Sequence, residues 1–207
     1  MAQAPVTPKP FKLDAGDVVL DFVNTLDDRF SPEGPKELLT SYNDVLRFAQ
    51  QTKLLSQKQA QGLLRAAKTE TAWQSALKLR EILARIFYSH LAHQSPSLRD
   101  LVRLSEYCKE AGEHRRLCSV NSSFVWQWAD LGRDPQAPVW VLAQHASDLL
   151  TSERLTVVRS CSAEHCRWLF LDTSKNHTRR WCDMKTCGNR MKARRFHARQ
   201  AIVEENS

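Results

Sequence analysis

The chain is 207 residues and 23.8 kDa, with 42% hydrophobic and 26% charged residues, which excludes a wholly disordered chain, a collagen-like fibre and a disulfide miniprotein. Its net charge of +7 is uneven: residues 1–153 hold 18 Lys+Arg and 18 Asp+Glu, while residues 154–207 hold 12 and 5, so the whole excess sits in the last quarter. No apolar run approaches the roughly 20 residues of a membrane span, and the opening MAQAPVTPKP has no apolar signal core, so a cytoplasmic, reducing compartment is expected.

The run Val18, Val19, Leu20, Phe22 and Val23 reads equally as a short buried strand or as the first turns of a helix. Asp27 to Pro35 is rich in turn formers and reads as a loop. Helical signals follow. Thr40 or Ser41 caps a helix carrying Tyr42, Val45, Leu46 and Phe48. Ser56 with Gln59 forms a capping-box pattern. From about Glu70, apolar residues recur at three and four as far as Phe87. Pro96 fits the first turn of the next helix, and Gly112 its end. Arg116–Ser119 and Ser123–Asp130 flank Asn121 and read as a hairpin. A helix is expected from Pro138 to Leu150, then strands at Leu155–Val158 and Trp168–Leu171, and a basic helix from Cys187 to about Ala201. The fold class is mainly α (α+β), with a helical domain at 1–153 and a small basic domain at 154–207.

Four of the six cysteines make a pattern. Cys161, Cys166, Cys182 and Cys187 spell C-x4-C-x15-C-x4-C, the layout of a four-cysteine zinc site with two ligands from each of two turns. Thiolates are soft donors, and four of them close a tetrahedron around one structural ion, which crosslinks a segment too small to bury its own core. Four thiolates and one zinc ion bring the loaded chain to about +5. Cys108 and Cys118 read as buried small apolar groups, with a second site as the alternative. His165 and His177 lie near the cysteines but read as surface or phosphate-contacting groups, because four sulfurs already fill the shell.

These residues resemble a known family. Cys187-Gly188-Asn189-Arg190, with Trp168-Leu169-Phe170-Leu171-Asp172, Arg180-Trp181-Cys182 and the basic run Lys192 to Arg195, is similar to the CGNR zinc finger over about 40 residues. The preceding 150 residues resemble the ABATE domain through Leu20-Asp21-Phe22-Val23-Asn24-Thr25 and Leu149-Leu150-Thr151-Ser152. The resemblance implies a treble-clef-like finger ending in a basic helix, and a bacterial stress-induced transcription regulator that binds DNA. Two departures stand out: the first knuckle, Ser162-Ala163-Glu164-His165, lacks the proline common in the family, and Lys175 stands where the family has arginine.

Within the finger, Gly188 is expected where backbone passes close to the metal, Asn189 as a helix cap, and Arg190 as a partner of Asp172 or of phosphate. Trp168 and Trp181 are expected in the small domain's core. Arg179, Arg180, Arg190, Lys192, Arg194, Arg195 and Arg199 are the candidate nucleic-acid contacts. Three function classes compete: a zinc-dependent DNA-binding regulator, with RNA as a variant target; a protein-interaction module with a purely structural finger; and an enzyme. The enzyme ranks last, because a four-sulfur shell has no open position for water and no Gly-rich phosphate loop is present. The helical domain is the candidate for homodimerisation or for an unidentified small-molecule effector.

Overall fold

A computed structural model describes residues 9–194 and 200. The ambiguous first apolar run is a helix, α1 (Val18–Val23), buried on nearly every side. Asp17 decides between the two readings: its carboxylate accepts from the Val19 N–H at 2.8 Å and caps the helix. Asp21, one turn on, accepts from the Ala15 N–H at 3.0 Å and folds the preceding chain back onto the helix. Gly16 makes that fold-back possible at φ +77, a left-handed conformation that glycine adopts without strain.

After α1 a two-residue bridge joins β1 (Leu26–Asp27) to β2 (Lys36–Glu37). Ser41 caps α2 (Tyr42–Gln51), and Ser56 with Gln59 forms the expected capping box of α3 (Gln57–Leu63). The long α4 (Thr69–Leu91) carries Ala72, Ala76, Leu79, Leu83 and Phe87 on its buried face. Ser97 caps α5 (Leu98–Glu113), so Pro96 precedes the cap instead of entering the first turn. The helix also runs past Gly112 to end at His114.

The hairpin β3 (Arg115–Val120) and β4 (Ser123–Trp128) is present, with Leu117 opposite Trp126 and Ser119 opposite Phe124. Its two-residue turn, Asn121-Ser122, has φ of 48 and 63, the positive values that suit a right-handed ribbon twist. Helix α6 (Ala137–Leu150) is apolar almost all round and therefore central, packed by α1, α4 and α5. No helix among the described residues is long and apolar enough to cross a membrane.

The strand expected at Leu155–Val158 begins later. Glu153–Val157 is a 3-10 turn, and β5 (Val158–Ser160) follows it, antiparallel to β6 (Leu169–Leu171) with Val158 opposite Leu171. All three residues of β6 are buried, and they enter the same hydrophobic core as α1 and α6. The cysteine segment is thus built onto the helical body. The Leu171 N–H donates to the Ala15 carbonyl at 2.8 Å, and the Tyr88 hydroxyl donates to the Arg167 carbonyl at 2.9 Å.

One side chain makes the closest junction. Asn24, just past α1, donates from Nδ2 to the Leu169 carbonyl and accepts from the Leu169 N–H, both at 2.9 Å and both buried. Its amide imitates a neighbouring strand and satisfies both backbone groups of one residue of β6. Trp168 completes the seam. It is buried, as expected, and its Nε1 donates to Asp27 Oδ1 at 2.8 Å.

Candidate metal centre and basic helix

The β5–β6 hairpin turns through the first cysteine pair, and the second pair lies across the start of the last helical segment. Cys161 is tied at its backbone, its N–H donating to the Trp168 carbonyl at 2.8 Å. The Ser162 N–H donates to the Arg180 carbonyl at 2.9 Å, which fastens the first knuckle to the second. The proline missing from Ser162–His165 leaves a tight turn intact: Cys166 and Arg167 both donate to the Ala163 carbonyl, and Arg167 adopts φ 52 to leave it.

The four sulfurs converge. Cys161, Cys166, Cys182 and Cys187 are all buried, and their Sγ atoms lie within 4.8 Å of one another. Cys182 Sγ is 3.6 Å from both Cys166 Sγ and Cys187 Sγ. A zinc–sulfur bond of about 2.3 Å puts tetrahedral ligands about 3.8 Å apart, so the cluster fits one tetrahedral ion. At this spacing the thiols share protons: the hydrogen bond with Cys166 pulls the Cys161 thiol down, and the hydrogen bond with Cys161 pushes Cys166 and Cys182 up. All four sulfurs would ionise at this spacing only with a cation among them.

Arg190 is exposed, and its Nη2 donates to Cys187 Sγ at 3.3 Å; among the described residues it makes no bond to Asp172. A guanidinium beside four thiolates offsets the excess negative charge that remains around a divalent ion. At Gly188 a Cβ would also collide with the Met184 sulfur and press on Trp181, so side chains crowd this position.

Met184–Gly188 forms a π-type turn that continues as helix through 189–194. Asp183, not Asn189, is its N-cap. Asp183 accepts from the Lys185 N–H at 2.9 Å and from the Thr186 hydroxyl at 2.5 Å. Lys12 adds a strap from the other end of the chain, with its Nζ 2.9 Å from Asp183 and 3.1 Å from Asp14. The bond from Thr186, then Lys12, hold the Asp183 carboxyl well below the usual range.

The arginine candidates separate by environment. Arg179 is turned inward: it donates to the carbonyls of Trp181, Cys182 and Leu171, and its guanidinium lies 4.5 Å from the Phe170 ring centre. Those bonds brace the loop from β6 to the second cysteine pair. Arg180, Lys192 and Arg194 are exposed, with the Arg180 guanidinium 5.4 Å from the centre of the half-buried Trp181 ring. Arg195 and Arg199 lie outside the described residues, as does His197. His177 is exposed and its Nδ1 lies 2.8 Å from the Asp172 carbonyl, whereas His165 stays out of the sulfur cluster.

Asp172 organises the same loop from inside. Burial opposes its ionisation, but bonds from the Ser174 hydroxyl (2.5 Å), the Ser174 N–H (3.1 Å) and the Arg179 N–H (3.0 Å) prevail and hold its carboxyl below the usual range. Asp183 had a legible signal, a D-x-x-T cap pattern ahead of a helix. Asn24 and Lys12 had none, since their partners are 145 and 171 residues away.

Elsewhere, a cleft of about 1180 Å³ opens between α4 and α5. Two of the arginines that line it are paired: Arg85 with Asp100 at 2.6 Å and Arg103 with Glu106 at 2.8 Å. Cys108 is half-buried, 3.6 Å from the Ala143 carbonyl, and neither it nor Cys118 joins a metal-ligating group among the described residues.

No curated protein matches the chain. Two family models do. Residues 158–200 match the CGNR zinc finger, whose span contains all four clustered cysteines. Residues 16–153 match the ABATE family, described as "Putative stress-induced transcription regulator". Since that second match spans about two thirds of the 207 residues, the chain belongs to the ABATE family and carries a CGNR zinc finger at its C-terminal end.

Proposed function

We propose that the protein is a transcription regulator, without enzymatic activity, that binds DNA through a zinc-ordered finger. The observation that carries this reading is the position of the cysteine cluster: Cys187 lies in the turn that opens the cationic helix, and Cys182 immediately precedes that turn's cap, Asp183. A zinc ion held by Cys161, Cys166, Cys182 and Cys187 would supply a structural crosslink between the β5–β6 knuckle and that helix. Arg190 would compensate the cluster's charge. Arg180, Lys192 and Arg194 would face phosphate, joined by Arg195 and Arg199.

Fixing these side chains matters for affinity. Cations on a tethered scaffold lose less freedom on binding than cations on a loose tail, so each phosphate contact contributes more. Binding of this kind falls steeply with salt, with a slope of about 0.9 per neutralised phosphate on duplex DNA. The test is retention of duplex DNA by the zinc-loaded chain across a salt series, repeated after chelation. The expected result is salt-sensitive retention that disappears with the metal. Undiminished retention after chelation contradicts the proposal, and retention of RNA alone would move the target to RNA.

A further inference from the structure

The β3–β4 ribbon is the least supported part of the molecule. The two strands pair only with each other, and among the described residues no other element packs along them beyond their base. At that base the Arg115 guanidinium sits 5.3 Å from the Trp126 ring centre and 5.5 Å from that of Trp128. His114 stacks on Trp140 of α6 at 3.4 Å and anchors the entry. Beyond the base, among the described residues, the side chains are exposed apart from half-buried Cys118. A two-stranded ribbon is at best marginally stable by itself.

What it exposes is apolar. Leu117, Phe124 and Trp126 share one face by their register, and they are 57%, 74% and 57% exposed. Aromatic side chains offer about 150–250 Å² each, so Phe124 and Trp126 leave roughly 300 Å² open per copy. Two such faces supply roughly 600 Å² before Leu117 and the ribbon backbone are added. A specific interface needs about 1,000 Å² in total, which two ribbons laid face to face approach.

Charge narrows the occupant. From Leu117 to Trp126 the ribbon has no charged side chain, and its arginines, Arg115 and Arg116, are confined to the base. A polyanion finds no row of cations here to replace its counterions, and a strongly acidic or basic protein finds no complementary field. A second copy brings the same apolar face, whose cation, Arg115, is held at the base against Trp126, and a two-fold axis makes one patch sufficient for both sides. We propose that the β3–β4 ribbon, through Leu117, Phe124 and Trp126, is the contact between two copies of this chain. The contact does not depend on what the finger binds.

The test is sedimentation equilibrium of the zinc-loaded full chain over a concentration series, with Phe124→Lys/Trp126→Lys and the milder Trp126→Gln beside it. The expected result is a reversible dimer, abolished in the double variant and weakened at least tenfold in Trp126→Gln. Helical circular dichroism and zinc content should match the unmodified chain in both variants, since neither position is in the core. A wild-type monomer at all concentrations overturns the proposal, whether the ribbon is then covered by the chain's own terminal residues or by nucleic acid. So does a dimer of unchanged affinity in the double variant.

Discussion

Substitution of Asn24 by alanine tests how the finger is joined to the helical body. The side chain makes two hydrogen bonds of 2.9 Å to the backbone of Leu169, and Asn24 and Leu169 are both buried. Removing it strands one N–H and one C=O away from water. Each orphaned group costs about 1–3 kcal/mol, so Asn24→Ala should destabilise the zinc-loaded protein by about 2–6 kcal/mol. Against a typical total of about 5–15 kcal/mol, that is a large fraction. At about 2–4 °C per kcal/mol for a chain of this size, the melting temperature should drop by roughly 4–24 °C. Asn24→Asp is the informative companion. It keeps an acceptor for the Leu169 N–H but points a second oxygen at the Leu169 carbonyl, so it should be no more stable than the alanine variant. Urea unfolding followed by circular dichroism gives the free energies, and a chromophoric chelator gives the rate of metal release. A loss below about 1 kcal/mol, or an Asp variant as stable as the unmodified chain, would refute the idea that this amide splices β6 to α1.

Four further outcomes are expected. Glu37→Ala strips the two 2.6 Å bonds from buried Arg80, leaving Glu81 and the Thr25 hydroxyl as its partners, and should cost about 3 kcal/mol in urea unfolding. Burial pushes the Asp21 carboxyl up to about 7, above its unfolded value, so the native state holds a proton that the unfolded state releases between about pH 4 and 7. Stability contributed by this group therefore falls as pH rises through that window, by at most about 1.4 kcal/mol per pH unit, and the fall should remain when the Asp21→Asn pH series is subtracted from that of the unmodified chain. Arg190→Ala should lower zinc affinity about 10–100-fold in a chelator competition, with Arg190→Lys intermediate, because the planar bond to Cys187 Sγ is lost while the charge is kept. Lys192→Ala and Arg194→Ala should each reduce the DNA salt slope by about one while leaving metal content unchanged, whereas Arg179→Ala should register mainly as lost stability.

How far the sequence carries can be judged from particular residues. Local chemistry was legible. The Ser41 cap, the Ser56/Gln59 box, the Asn121 turn and the four-cysteine cluster all depend on neighbours within a few residues or on a fixed ligand count. The α1 run stayed ambiguous because six residues are too few for a period, and a buried aspartate cap settled it. Long-range contacts were not legible. Nothing in a charged list of candidates marks Arg179 as an internal brace or Arg190 as a sulfur-bonding group, because both assignments depend on where β6 and the last helix meet. Part of the positive excess of residues 154–207 is already engaged within the chain: exposed Arg154 pairs with Asp17 at 2.7 Å, exposed Arg190 donates to Cys187 Sγ, and half-buried Arg179 turns inward.

The most direct test of the zinc-ordered finger as a DNA reader is genome-wide crosslinking of the tagged protein, compared with Cys182→Ser and with the fold-preserving Lys192→Ala/Arg194→Ala form. The account predicts discrete sites for the unmodified protein that disappear in both variants. Site-specific crosslinking that persists unchanged in both, or no sites for the unmodified protein, would contradict it.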